Sequence, residues 1–127
     1  MSFRMLQADV LSWAKDKDLL YSENADKQFM KFIEEVFEFK TEFDMWSWYE
    51  KFNFDESLKT YLSNNNINRC KDLKFEMGDI FVTLIILCEQ IGIDPEECLS
   101  MAYEKISKRK GKTINGQFIK EEDLIDE

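Results

Sequence analysis

From Ile80 to Cys88 the chain reads IFVTLIILC, and Thr83 is the only polar side chain in the run. Side chains of that kind gain free energy only when they leave water. The segment that contains them, about Arg69 to Ile91, is apolar nearly all round beyond Asp79, which predicts a central, buried helix. Gly92 is placed to stop it. Two acids, Glu76 and Asp79, stand three residues apart just ahead of this run. The chain must therefore fold so that its most apolar helix is covered while two carboxylates sit at the rim of that cover.

One proline and four glycines leave few breakers, so the rest of the chain is free to form long helices. Phe3, Leu6, Val10 and Trp13, with Met5 beside them, follow a 3.6-residue period and predict a first helix over about Phe3 to Lys17. A second begins after Ser22 or Asn24 and runs through Glu42, with an extension to Phe52 left open. Its apolar face is Phe29, Phe32, Ile33, Val36 and Phe43. The asparagine-rich stretch Ser63 to Asn68 marks a loop. A fourth helix starts at Asp94, with Pro95 at the first helical position and Glu97 completing a capping box, and continues to about Lys110, where Gly111 ends it. Asn115-Gly116 then predicts a hairpin over 113–119, followed by a solvated acidic tail, 121–127. The expected fold is all-α: a four-helix antiparallel bundle with a short C-terminal β-hairpin, the whole of 1–127 forming one domain.

Composition narrows the chemistry. No histidine is present, which excludes His-based triads, His general bases and zinc sites that need imidazole. Three cysteines without CxxC spacing argue against a disulfide framework, and Cys88 reads as a buried, inert thiol. A net charge of −9 disfavours a nucleic acid polymer as partner. No apolar run reaches the ~18 residues of a membrane span, and the first ten residues lack the apolar stretch of a signal peptide. A soluble, cytoplasmic protein is the expectation.

Glu35, Glu38 and Glu42 fall within an arc of roughly 60° on the second helix, at the border of its apolar face. Glu76 and Asp79 share one side of the third. Like charges at these spacings cost a few tenths of a kcal/mol per pair when exposed, and far more when buried without neutralisation. Two readings follow. The acids form an ordinary solvated stripe, or two helices together build an oxygen-only cage for a hard divalent ion such as Mg²⁺ or Mn²⁺.

Glu34-Glu35-x-x-Glu38 followed by Glu76-x-x-Asp79 resembles the EExxE…ExxD signature of MazG-like nucleoside triphosphate pyrophosphohydrolases. LSWAKDKDL is similar to their first helix and GIDPEECLSMAYEKISKRKGK to their last, including the Lys105-x-x-x-Arg109 pair. GKTINGQFIKEEDL resembles the C-terminal extension of short phage-type members. The resemblance implies Mg²⁺ (with Mn²⁺ as the alternative) on Glu35, Glu38, Glu76 and Asp79. It gives Glu34 a water-orienting role shared with Glu35, and implies hydrolysis of a nucleoside triphosphate to the monophosphate and pyrophosphate. Phe37 departs from the glycine common in the family. The gap between Glu38 and Glu76 is long and carries the aromatic insert Trp46, Trp48, Tyr49, Phe52 and Phe54.

Lys105, Lys108, Arg109, Lys110 and Lys112 crowd the end of the fourth helix. They suit a helix C-terminus electrostatically; in the family's terms, Lys105 and Arg109 grip phosphate and stabilise charge on the leaving pyrophosphate. The aromatic content predicts a homodimer or homotetramer. The alternatives to an enzyme are a non-catalytic helical interaction module and a nucleotide-binding regulator without turnover.

Overall fold

The computed structural model describes residues 1–52 and 69–124, with side chains left out of account at 48–52 and 69–71. The expected loop at 63–68 and Phe54 lie outside the described residues, as do the side chains of Trp48, Tyr49 and Phe52 and the tail beyond residue 124. The chain is mostly helical, with a two-stranded antiparallel sheet near its end. It divides into two compact units, Met1–Gly92 and Ile93–Glu127.

In the first unit, α1 spans Phe3–Asp16. Ser2 caps it, its hydroxyl accepting from the Met5 amide at 3.1 Å, which satisfies one of the amides left over at a helix start. The helix closes on a residue in left-handed conformation. Asp18 has φ 57°, the Leu19 amide returns to the Ala14 carbonyl, and the Asp18 amide returns to Lys15. That bond pair is a Schellman closure. A 3₁₀ turn over Ser22–Asn24 leads into α2, Ala25–Phe52, which runs the full length that the sequence left open.

Helix α3 spans Arg69–Ile91 and is packed by both α1 and α2. Gln28 of α2 donates to the Thr83 carbonyl at 3.3 Å, while Glu35 and Glu38 approach Glu76. Rising numbers on α2 thus meet falling numbers on α3, and the two helices run antiparallel. Phe3 of α1 meets Phe81 edge to face at 5.9 Å. The far end of α3 is tied by the buried Gln90, which donates to the Leu19 carbonyl at 2.6 Å.

The apolar centre is small. Among the described residues only Ala14, Ile85 and Ile86 are buried hydrophobics, whereas Phe37 and Phe75 remain about two-thirds exposed and Phe81 nearly half. The expectation of a helix buried all round is therefore corrected: α3 hides one side, at Thr83, Ile85, Ile86 and Gln90, and shows Phe75, Phe81 and Ile91 to solvent. Cys88 is half-buried rather than buried. No helix among the described residues is long and apolar enough to cross a membrane.

In the second unit, α4 spans Pro95–Ser107, with Asp94 accepting from the Glu97 amide at 3.2 Å. It stops three residues earlier than Lys110, because Gly111 is not its terminator but the first residue of β1, Gly111–Ile114. Strand β2 is Gln117–Lys120, paired so that Gly111 faces Lys120 and Ile114 faces Gln117. Asn115 (φ 52°) and Gly116 (φ 78°) both take positive φ, as a type I′ turn requires. At Gly111 a Cβ would collide with the Ile119 carbonyl and come within 2.8 Å of the Phe118 ring. A short 3₁₀ turn, Glu121–Asp123, follows.

Candidate functional site: a carboxylate cluster between two helices

The antiparallel pairing of α2 and α3 decides which acids meet. Glu35 and Glu38 are one turn apart on α2, and α3 lays Glu76 against them. One carboxylate oxygen from each of the three lies within 4.8 Å of the others. Glu35 is buried, only 7% exposed, Glu76 is half-buried and Glu38 exposed. The group sits at the edge of the helix pair, open on the Glu38 side.

The charges are poorly compensated. Lys31, one turn before Glu35 on α2, places its Nζ 3.1 Å from Glu35 and 3.6 Å from Glu34. Its ammonium is held above the ordinary lysine value, first by the hydrogen bond to Glu35 and then by the neighbouring charges of Glu34 and Glu35. Yet Glu35 Oε2 and Glu76 Oε2 are buried without a hydrogen-bond partner among the described residues. A buried polar atom left unpaired costs about 1–3 kcal/mol, and more when it carries charge.

Protons take up part of the strain. Glu38 is pushed above the ordinary carboxyl value, first by a hydrogen bond with the Glu35 carboxyl, then by the charge of Glu35, by desolvation and by Glu76, with Lys31 opposing. Glu76 is pushed up chiefly by burial, and next by the charges of Asp79, Glu35, Glu42 and Asp72. Four acids surround Glu76, and each raises the cost of ionising it.

The other sequence-derived candidates fall differently. Asp79 is exposed, one turn beyond Glu76, and acts on the cluster through its charge without joining the three-carboxylate group. Glu34 points toward solvent, with its side chain 60% exposed, and pairs with Lys31. Phe37 is exposed. Lys105 and Arg109 belong to the second unit, on the last turn of α4 and just past it, where both line a cleft.

Lys31, one turn ahead of Glu35 in the sequence, is the cation beside the acids. One feature escaped the sequence reading. Lys120 lines the same cleft as Lys105 and Arg109. The Asn-Gly turn that fixes the strand pairing was the signal for it, since that pairing brings Lys120 opposite Gly111. Compared with known proteins, the chain matches no family model, no curated sequence and no solved structure.

Proposed function

We propose that the protein is a Mg²⁺-dependent nucleoside triphosphate pyrophosphohydrolase of the MazG-like kind, acting at the α–β phosphoanhydride. The observation that carries the reading is the meeting of Glu35, Glu38 and Glu76 from two helices, with two buried oxygens that no described residue satisfies. Those oxygens fit a hard, oxygen-preferring divalent ion, because only a cation relieves several carboxylates at once. Glu35, Glu38 and Glu76 would hold it, and Asp79, one turn beyond Glu76, would add its charge without joining them. Magnesium bound there would offset the carboxylate charge and supply Lewis-acid activation of water and phosphate at neutral pH.

The chain's own groups have separable tasks in this reaction. Glu34, exposed beside Lys31, accepts a proton from the attacking water or orients it together with Glu35. Lys31 holds Glu35 in place. Lys105 and Arg109 neutralise the phosphates of the substrate and the charge that gathers on departing pyrophosphate. No covalent nucleophile is needed, which suits a chain without histidine.

The exposed aromatic and aliphatic surface of α1, α2 and α3 supports a homodimer or homotetramer, in which a four-helix bundle of the family type is completed by packing those faces. The same surface is what a non-catalytic interaction module would use, so turnover decides between them.

The deciding experiment is a panel of ribo- and deoxyribonucleoside triphosphates with Mg²⁺, resolving pyrophosphate from orthophosphate. Pyrophosphate with an equal amount of monophosphate is expected; orthophosphate as the sole product, or no turnover on any nucleotide, rejects the reading.

A further inference from the structure

The unit Ile93–Glu127 holds six basic residues, and five of them line a single open cleft of about 610 Å³: Lys105, Lys108, Arg109, Lys110 and Lys120. Glu121 and Glu122 complete the lining. The convergence is a product of the backbone. Lys105 and Arg109 are one helical turn apart. The Lys110 carbonyl accepts from the Glu121 amide at 2.7 Å, and β2 pairs Lys120 with Gly111, so the strand end is brought back to the helix end. Among the described residues, Lys108 alone of the five stands in an ion pair, with Glu104 at 3.3 Å.

A helix C-terminus attracts cations within its last turn, by about 0.3–1 kcal/mol each. That accounts for Lys105 and Lys108. It does not account for Lys110, beyond the helix, or for Lys120, on the second strand. In a protein of net charge −9, five basic residues lining one cleft reverse the charge locally, and such a patch attracts a compact anion of high charge density.

We propose that this cleft binds an oligophosphate, a chain of two or more linked phosphates, and does so without a divalent metal. Linked phosphates reach several cations at once. A single small anion meets fewer of them and still faces Glu121 and Glu122. A nucleic acid strand would extend past the cleft onto Glu121–Asp123 and an acidic surface, which opposes a long polyanion. The proposal rests on the preceding reading only for the phosphate chemistry of Lys105 and Arg109; Lys108, Lys110, Lys120 and metal independence are added by the cleft.

The test is calorimetric titration of the full chain in EDTA with sodium tripolyphosphate, orthophosphate and a single-stranded oligonucleotide. Tripolyphosphate is expected to bind at least about tenfold tighter than orthophosphate. Lys120→Gln and, separately, Lys110→Gln should each weaken it about fivefold or more, while Lys112→Gln, outside the cleft, leaves it unchanged. Equal affinity for the two phosphates, tighter binding of the oligonucleotide, or indifference to both cleft variants overturns the proposal. Glu38→Gln separates the two readings. It should abolish Mg²⁺-dependent hydrolysis yet leave tripolyphosphate binding in EDTA intact, so either result can fail alone.

Discussion

The two charged regions of this chain are built in opposite ways. The acids on α2 and α3 are fixed by helices, partly buried, and left with oxygens that no hydrogen bond from a described residue satisfies. The bases of the C-terminal unit are gathered by a short hairpin, mostly exposed, on long flexible stems. Crowding and burial make the first arrangement expensive, and it shows in carboxyl values raised at Glu38, first by the hydrogen bond with Glu35, and at Glu76, first by burial. Water screens the second, which costs little to maintain. The lesson is that equal numbers of charges do not carry equal meaning. A cluster that the fold holds against its own electrostatics needs a ligand more than one that solvent already pacifies.

The sharpest way to break this contrast is Glu76→Gln. If the acidic cluster is the reactive one, pyrophosphate release should fall by more than about 100-fold, a larger loss than outer-shell changes give; near wild-type rates would remove the cluster from the reaction. Mg²⁺ should come next. At about 100 times its Kd it would stabilise the fold by about 2.7 kcal/mol, a shift of several degrees in a thermal melt, and the shift should vanish in Glu38→Gln. A melt indifferent to millimolar Mg²⁺ would erase the asymmetry between the regions.

Gly111→Ala probes the other region. The added methyl meets the Ile119 carbonyl, and overpacking of this kind costs about 1–3 kcal/mol. Hydrogen exchange should quicken across Gly111–Lys120 while α2 and α3 keep their protection. Equal loss in both would show that the regions are not independent.

A gentler discriminator is pH. Glu38 and Glu76 hold protons above the ordinary 4.5, so between that value and their raised ones the folded state binds more protons than the unfolded chain. Their stabilising contribution is complete below 4.5 and is lost as pH rises through that window. In metal-free protein, Glu76→Gln should therefore melt higher than wild type near neutrality, and its advantage should shrink on acidification toward 4.5. An advantage that grows on acidification would contradict the strain. The smallest effect serves as a control outside both clusters: Asp18→Gly relieves a left-handed residue and should stabilise the fold in a thermal melt by about 1 kcal/mol.

The helices were legible because their signals are local: Ser2, Asp94 and Pro95 at starts, periodic apolar residues within, Asn115-Gly116 at the turn. The α4 end was misplaced because Gly111 looks the same as a helix stop and as a strand residue under a close carbonyl; only the pairing with Lys120 tells them apart. The three-carboxylate meeting was foreshadowed by spacing, since Glu35, Glu38 and Glu76 each lie at an apolar border. Asp79's distance from the group was not, because helix rotation is set by packing between α2 and α3. The exposure of Phe75 and Phe81 was also hidden. An apolar side chain states that it prefers cover, not whether its own chain provides it.

The hairpin has a further implication. Sidedness along a strand is a matter of odd and even, and only two residues separate β1 from β2. The turn therefore works as a ruler: one residue more or fewer would hand Lys120 to the opposite face and take its ammonium away from the other bases. Two chains of identical composition could thus differ in whether this end of the molecule attracts anions at all, with nothing changed but a count.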